Sequence, residues 1–157
     1  MKYLYFLLTM LVMSSTVVSC SDDDDDDGPD NTASFTVDGN EASVQNVTAT
    51  EQSQQGITLR IISMPSKSDG TVNISITGGA EAEIRTYDLD GSLDAIVVSP
   101  SYTPDGTNSS YTTIGGTVEL TKNDESRSEG TFSFTARSDD NTDTVSITSG
   151  AFAVDIN

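Results

Sequence analysis

The residues with the clearest chemical potential are acids. Asp88, Asp90 and Asp94 fall within one short run, Tyr87-Asp88-Leu89-Asp90-Gly91-Ser92-Leu93-Asp94. Such a run can offer oxygens to calcium, which takes about six to eight of them. It departs from the EF-hand pattern because Gly91 follows Asp90 directly, and an acid-rich turn accounts for the same residues with no cofactor. Asp139, Asp140, Asn141 and Asp143 form a second cluster, which a hairpin tip explains equally well. Tyr102 and Tyr111 flank the loop Pro104-Asp105-Gly106-Thr107-Asn108. Two rings there can stack on a sugar, or pack over the loop with their hydroxyls satisfied locally. Paired carboxylates also hydrolyse glycosides at separations of about 5.5 or 6.5–9.5 Å, but a domain this acidic meets such distances by chance. The expectation is that the protein is not an enzyme.

The missing residue types narrow the chemistry further. There is no His and no Trp, and Cys20 is the only Cys. Disulfides within the chain, Cys/His zinc sites and His-dependent triads are excluded. The formal charge is −18. Asp22 to Asp27 and Asp30 supply seven of the acids, leaving 18 against six bases in the rest of the region after Cys20. So negative a surface repels phosphate backbones and anionic headgroups, which argues against a nucleic-acid partner.

Lys2 followed by the apolar run Tyr3 to Met13, interrupted only by Thr9, is too short for a bilayer span, which needs about 20 apolar residues. It fits the h-region of a secretory signal peptide. The segment Val17-Val18-Ser19-Cys20 that follows resembles a lipobox, with an aliphatic residue three before the Cys and a small one just before it. Val18 is bulkier than the usual residue there. The resemblance implies cleavage before Cys20, a diacylglyceryl thioether on its sulfur and an acyl chain on its amine, which together anchor the protein to a membrane. Ser21 and six consecutive Asp residues then repel one another and offer nothing to a core, as expected of an extended tether. Cys20 to Ser34 reaches at most about 50 Å, which would hold the domain clear of the membrane. Ser-Asp-Asp directly after the Cys resembles the export signal of Bacteroidota surface lipoproteins. It implies the outer face of the outer membrane, with a periplasmic face as the alternative.

From Ser34 onward the pattern has period two. Phe35 and Val37; Ile57, Leu59 and Ile61; Val72, Ile74 and Ile76; Val118 and Leu120; Phe132, Phe134 and Ala136; Val145 and Ile147; and Phe152, Val154 and Ile156 alternate with polar or small residues. Each run gives a strand with one apolar and one polar face. Weaker strands are expected over Val44 to Thr50, Glu83 to Leu89, Ala95 to Ser99 and Ser110 to Ile114. Turns are expected at Asp38-Gly39-Asn40, Ser68-Asp69-Gly70, Gly78-Gly79, Asp90-Gly91, Asp105-Gly106, Gly115-Gly116 and Asp139-Asp140-Asn141. About nine or ten short strands without a helical period predict an all-β, antiparallel β-sandwich, with a lipocalin-like up-and-down barrel as the alternative.

The cadence Gly116-Thr117-Val118-Glu119-Leu120-Thr121, Glu129-Gly130-Thr131-Phe132-Ser133-Phe134-Thr135-Ala136 and Val145-Ser146-Ile147-Thr148-Ser149-Gly150-Ala151-Phe152, with Ala33 to Gly39, resembles a family of uncharacterised Bacteroidota lipoproteins. Ser149 stands where that cadence has Asn. The resemblance implies a β domain at the cell envelope and carries no activity. Asp143-Thr144-Val145 also resembles a short O-glycosylation sequon of such proteins. The organisation expected is a signal peptide over 1–19, a lipidated Cys and tether over 20–33, and a β domain over 34–157. The expected role is a non-catalytic surface module for a glycan or a partner protein, or else a structural component of the envelope.

Overall fold

The structure is a computed structural model, and it describes residues 30–91 and 93–156. The strands are β1 (Thr32–Val37), β2 (Asn40–Glu41), β3 (Thr48–Gln54), β4 (Ile57–Pro65), β5 (Thr71–Thr77), β6 (Thr86–Asp88), β7 (Val98–Thr103), β8 (Tyr111–Asn123), β9 (Arg127–Arg137) and β10 (Thr144–Asp155). A 3₁₀ turn (Gly79–Glu81) precedes β6, and one turn of helix, α1 (Asp94–Val97), precedes β7. The all-β, antiparallel expectation is met. The strands join in one sheet of order β2-β1-β10-β9-β8-β7-β5-β4-β3, with β6 added beside β8, and that sheet curls into a half-barrel. Its form lies between the two expected alternatives, because one continuous hydrogen-bonded path supplies both walls of the core.

Alternation drives the curl. Val72, Ile74 and Ile76 of β5 and Phe132, Phe134 and Ala136 of β9 point inward, and Thr and Ser between them face out. Three rings gather around Phe132, whose centroid lies 6.4 Å from Phe35, 6.1 Å from Phe134 and 6.3 Å from Phe152. Glycines make room for them. Gly150 is the cross-strand partner of Phe132, and Gly130 that of Phe152. In each pair the ring covers the space that a Cβ would occupy.

Several expectations are corrected. In β4 the phase is reversed: Arg60, Ile62 and Met64 point inward, Leu59 and Ile61 are half-buried on the outer side and Ile57 is exposed. The expected strand over Ala95 to Ser99 is α1 followed by β7. Ser110 to Ile114 and the Val118 run are one 13-residue strand, β8; a bulge falls at Ile114, and Gly115-Gly116 pair with Thr135 and Phe134 of β9 rather than turning. A second bulge lies between Ile147 and Gly150, where Ser149 has φ 52°. Asn tolerates that left-handed region better than Ser, a physical reason for the Asn of the cadence.

Candidate functional site

Strand direction divides the molecule into two ends. The chain enters β1 beside the C-terminal end of β10, where Thr32 pairs with Ala153 and the Asp155 amide donates to Asn31 Oδ1 at 2.8 Å. The β3–β4 and β8–β9 turns lie at this entry end. The β1–β2, β4–β5, β7–β8 and β9–β10 connections lie at the other. The 11 residues of β9 separate the ends by about 35 Å.

At the entry end Arg60 is fully buried and donates four hydrogen bonds. Its Nε donates to Glu51 Oε1 at 2.9 Å, and one Nη forms an ion pair with the same oxygen at 2.7 Å; Glu51 is its cross-strand partner on β3. The remaining donors reach Asn123 Oδ1 (2.8 Å), Ser128 Oγ (2.6 Å) and the Asp124 carbonyl (2.9 Å). Ser128 Oγ donates to Asn123 Oδ1, and Asn123 Nδ2 donates to the carbonyls of Gly79 and Ala82. Among the described residues, no buried side-chain polar atom lacks a partner. This hub ties β3, β4, the β8–β9 hairpin and the 3₁₀ turn together, with Glu51, its one-third exposed member, at the edge of the hollow that Ile57 and Thr77 also line. Sequence reasoning missed it; the one available signal was an Arg in phase with Ile62 and Met64.

The β8–β9 turn depends on Asp124. Its Oδ1 accepts from Ser126 Oγ (2.7 Å), the Ser126 amide (2.8 Å) and the Arg127 amide (2.9 Å), and these donors pull the carboxyl down to about 2. Asp94, beside Arg85, and Asp140, beside the Ser138 and Thr142 hydroxyls, are lowered as well. An unfolded Asp titrates near 3.9. The stability these groups contribute is therefore complete above about pH 4 and is lost as pH falls towards 2. Urea midpoints should be level from pH 5 to 6 and drop between pH 4 and 2. Asp124→Asn should flatten part of that drop, and a carboxyl resonance for Asp124 titrating near 4 would contradict the assignment.

At the far end the structure brings together two groups that lie apart in sequence. Tyr111 Oη donates to Asp143 Oδ2 at 2.9 Å, joining the β7–β8 loop to the β9–β10 hairpin. The Tyr111 hydroxyl is raised by this carboxylate. The two segments line a cleft of about 420 Å³ with Thr107, Ser109, Ser138, Asp139, Asp140 and Thr142. Asp140 Oδ1 organises the tip, accepting from Ser138 Oγ (2.7 Å), Thr142 Oγ1 (2.8 Å) and the Thr142 amide (3.1 Å). Asp38, Glu41, Asp69 and Asp105 stand on the same end, with Lys67 and Arg137 as its cations. At the entry end, in contrast, Arg60, Arg85, Lys122 and Arg127 are each in an ion pair.

The other candidate residues fall as follows. Tyr102 is only 5% exposed, donates its hydroxyl to the Asp69 carbonyl and meets Tyr111 edge-on at 6.0 Å. It supports the Tyr111 ring from behind and presents no face for stacking. Asp94 is engaged by Arg85 through both oxygens, at 2.9 and 2.7 Å, while Asp88 and Asp90 are exposed. Among the described residues, no group of three or more His, Cys, Asp or Glu is placed to hold a metal ion. No helix there is long and apolar enough to cross a membrane. Cys20, the expected signal peptide and most of the expected tether lie outside the described residues.

No curated protein and no solved structure matches the chain. Residues 31–154 match the family described as Domain of unknown function (DUF6252). That match takes in every strand of the half-barrel, the Arg60 hub and the Tyr111–Asp143 cleft, so the chain belongs to this family.

Proposed function

We propose that this protein is a lipid-anchored lipoprotein of the cell envelope. It displays its half-barrel on the outer face of the outer membrane as a non-catalytic module that binds a glycan or a partner protein. The observation that carries the reading is the polarity of the sheet. The acidic segment from Cys20 joins the entry end, and the Tyr111–Asp143 cleft opens at the other, about 35 Å away. Hydroxyls, carboxylates and one supported ring are the groups with which proteins hold sugars. Metabolic labelling with an alkyne fatty acid should tag the protein, and Cys20→Ser should abolish both the tag and membrane retention. On glycan arrays, binding by the full chain should be lost in Tyr111→Ala and largely kept in Tyr111→Phe. Flat arrays together with no cross-linked neighbour in intact cells would overturn the binding role. An untagged, freely soluble product would overturn the anchor.

A further inference from the structure

Four of the large aliphatic side chains that the structure leaves exposed are gathered at the entry end. Ile57, Ile84, Leu93 and Ile96 are between 59% and 80% exposed. Contacts link them into one neighbourhood. Thr77 donates its hydroxyl to the Ile96 carbonyl at 3.1 Å and lines the same hollow as Ile57. The Arg85–Asp94 ion pair, at 2.7 Å, holds the residue after Ile84 against the residue after Leu93. Glu125 of the β8–β9 turn shares that hollow, and the next residue of the turn, Ser126, accepts from the Ile156 amide at 2.8 Å, beside Asp155 and Asn31. The apolar rim and the point where the chain enters the sheet therefore share one end of the molecule.

We propose that this rim rests on the lipid surface to which the chain is anchored, an inference that depends on the anchor proposed above. Twelve steps separate Cys20 from Thr32, so an acylated Cys20 keeps the rim within at most about 43 Å of the lipid. Contact with that surface is then intramolecular, and weak individual insertions suffice. A tether that permits standing clear of the membrane equally permits this contact. Charge argues against a second copy as the occupant. Glu81, Glu83 and Glu125 are exposed around the rim, and two copies meeting there would bring like charges together. The same acids select a zwitterionic surface over an anionic one.

The lipidated full chain carries no free thiol if Cys20 is acylated, so Leu93→Cys and Asp105→Cys each offer one site for an environment-sensitive fluorophore. Both positions are exposed, and neither substitution disturbs the core. In phosphatidylcholine vesicles the probe at 93 should shift to the blue and be quenched by brominated acyl chains, while the probe at 105 should do neither. Adding phosphatidylglycerol should reduce the effect at 93. Protein that floats with the vesicles while both probes behave alike would overturn the rim and leave the anchor standing. A shift at 93 that appears without lipid and grows with protein concentration would assign the rim to a second copy and overturn the proposal. Two labels per chain and no flotation would overturn the anchor itself, and the rim with it.

Discussion

Arg60→Ala is expected to be among the most damaging single substitutions in the domain, costing about 3–5 kcal/mol. The loss does not come from one ion pair. Removing the guanidinium takes one donor each from Asn123 Oδ1, Ser128 Oγ and the Asp124 carbonyl, the first two on buried residues. It also leaves Glu51, whose side chain is one-third exposed, as a half-buried charge. Against a total stability of about 5–15 kcal/mol, such a loss would bring a marginal domain close to unfolding. Arg60→Lys should recover little, since three donors on a flexible stem cannot meet partners set around a planar fork. Urea denaturation of the two variants tests this, and a loss under about 1 kcal/mol for Arg60→Ala would show the network to be dispensable.

Two adjacent glycines give the second large effect its own control. Gly116 has φ 128°, and a Cβ built on it would lie 2.3 Å from the Ser133 carbonyl oxygen and 2.5 Å from Phe134 Cα. Both obstacles are backbone of the neighbouring strand and cannot rotate away. Gly116→Ala should therefore cost about 2–4 kcal/mol, from the clash and the left-handed backbone together. At Gly115 a Cβ would meet nothing within 4 Å. Gly115→Ala should stay within about 0.5 kcal/mol of the parent. Paired thermal melts suffice, and similar losses in both would show that β8 and β9 do not approach at Gly116 as the structure has it.

How far the fold was legible depended on how cleanly each strand separates its faces. β5 and β9 alternate large apolar with small polar residues, and both are placed as expected. β4 misleads because it is apolar on both faces. Ile57, Leu59 and Ile61 lie in one phase and Ile62 and Met64 in the other, so the tie was decided by Arg60, which hydropathy assigns to solvent. Its hairpin partner Glu51, together with Asn123, Asp124 and Ser128 more than 60 residues further on, makes its burial tolerable. Gly115-Gly116 resembles a turn by composition, but they follow the bulge at Ile114, and Gly116 is needed for its positive φ and the close approach of β9. The candidate site was legible in pieces: Tyr111 and the Asp139–Asp143 cluster were each visible, but their meeting across 32 residues is a product of strand order. Tyr102 carried the same signal as Tyr111, and only the three-dimensional packing separates the buried ring from the one at the cleft.

The pairing of β1 with β10 has a bearing on how the molecule is made. Thr36 bonds Thr148 and Asn31 bonds Asp155, partners 112 and 124 residues apart. Beyond the two-residue β2 that follows it, β1 can find its other neighbour only after β10 has been synthesised, roughly ten seconds later. Closure of the sheet is thus a late, long-range event, of the kind that slows β proteins. During that interval Phe35 has no ring cluster to join. A chaperone that shields such a nascent segment would act on this first strand rather than on the β4–β5 or β8–β9 hairpins, which can zip up locally as they emerge.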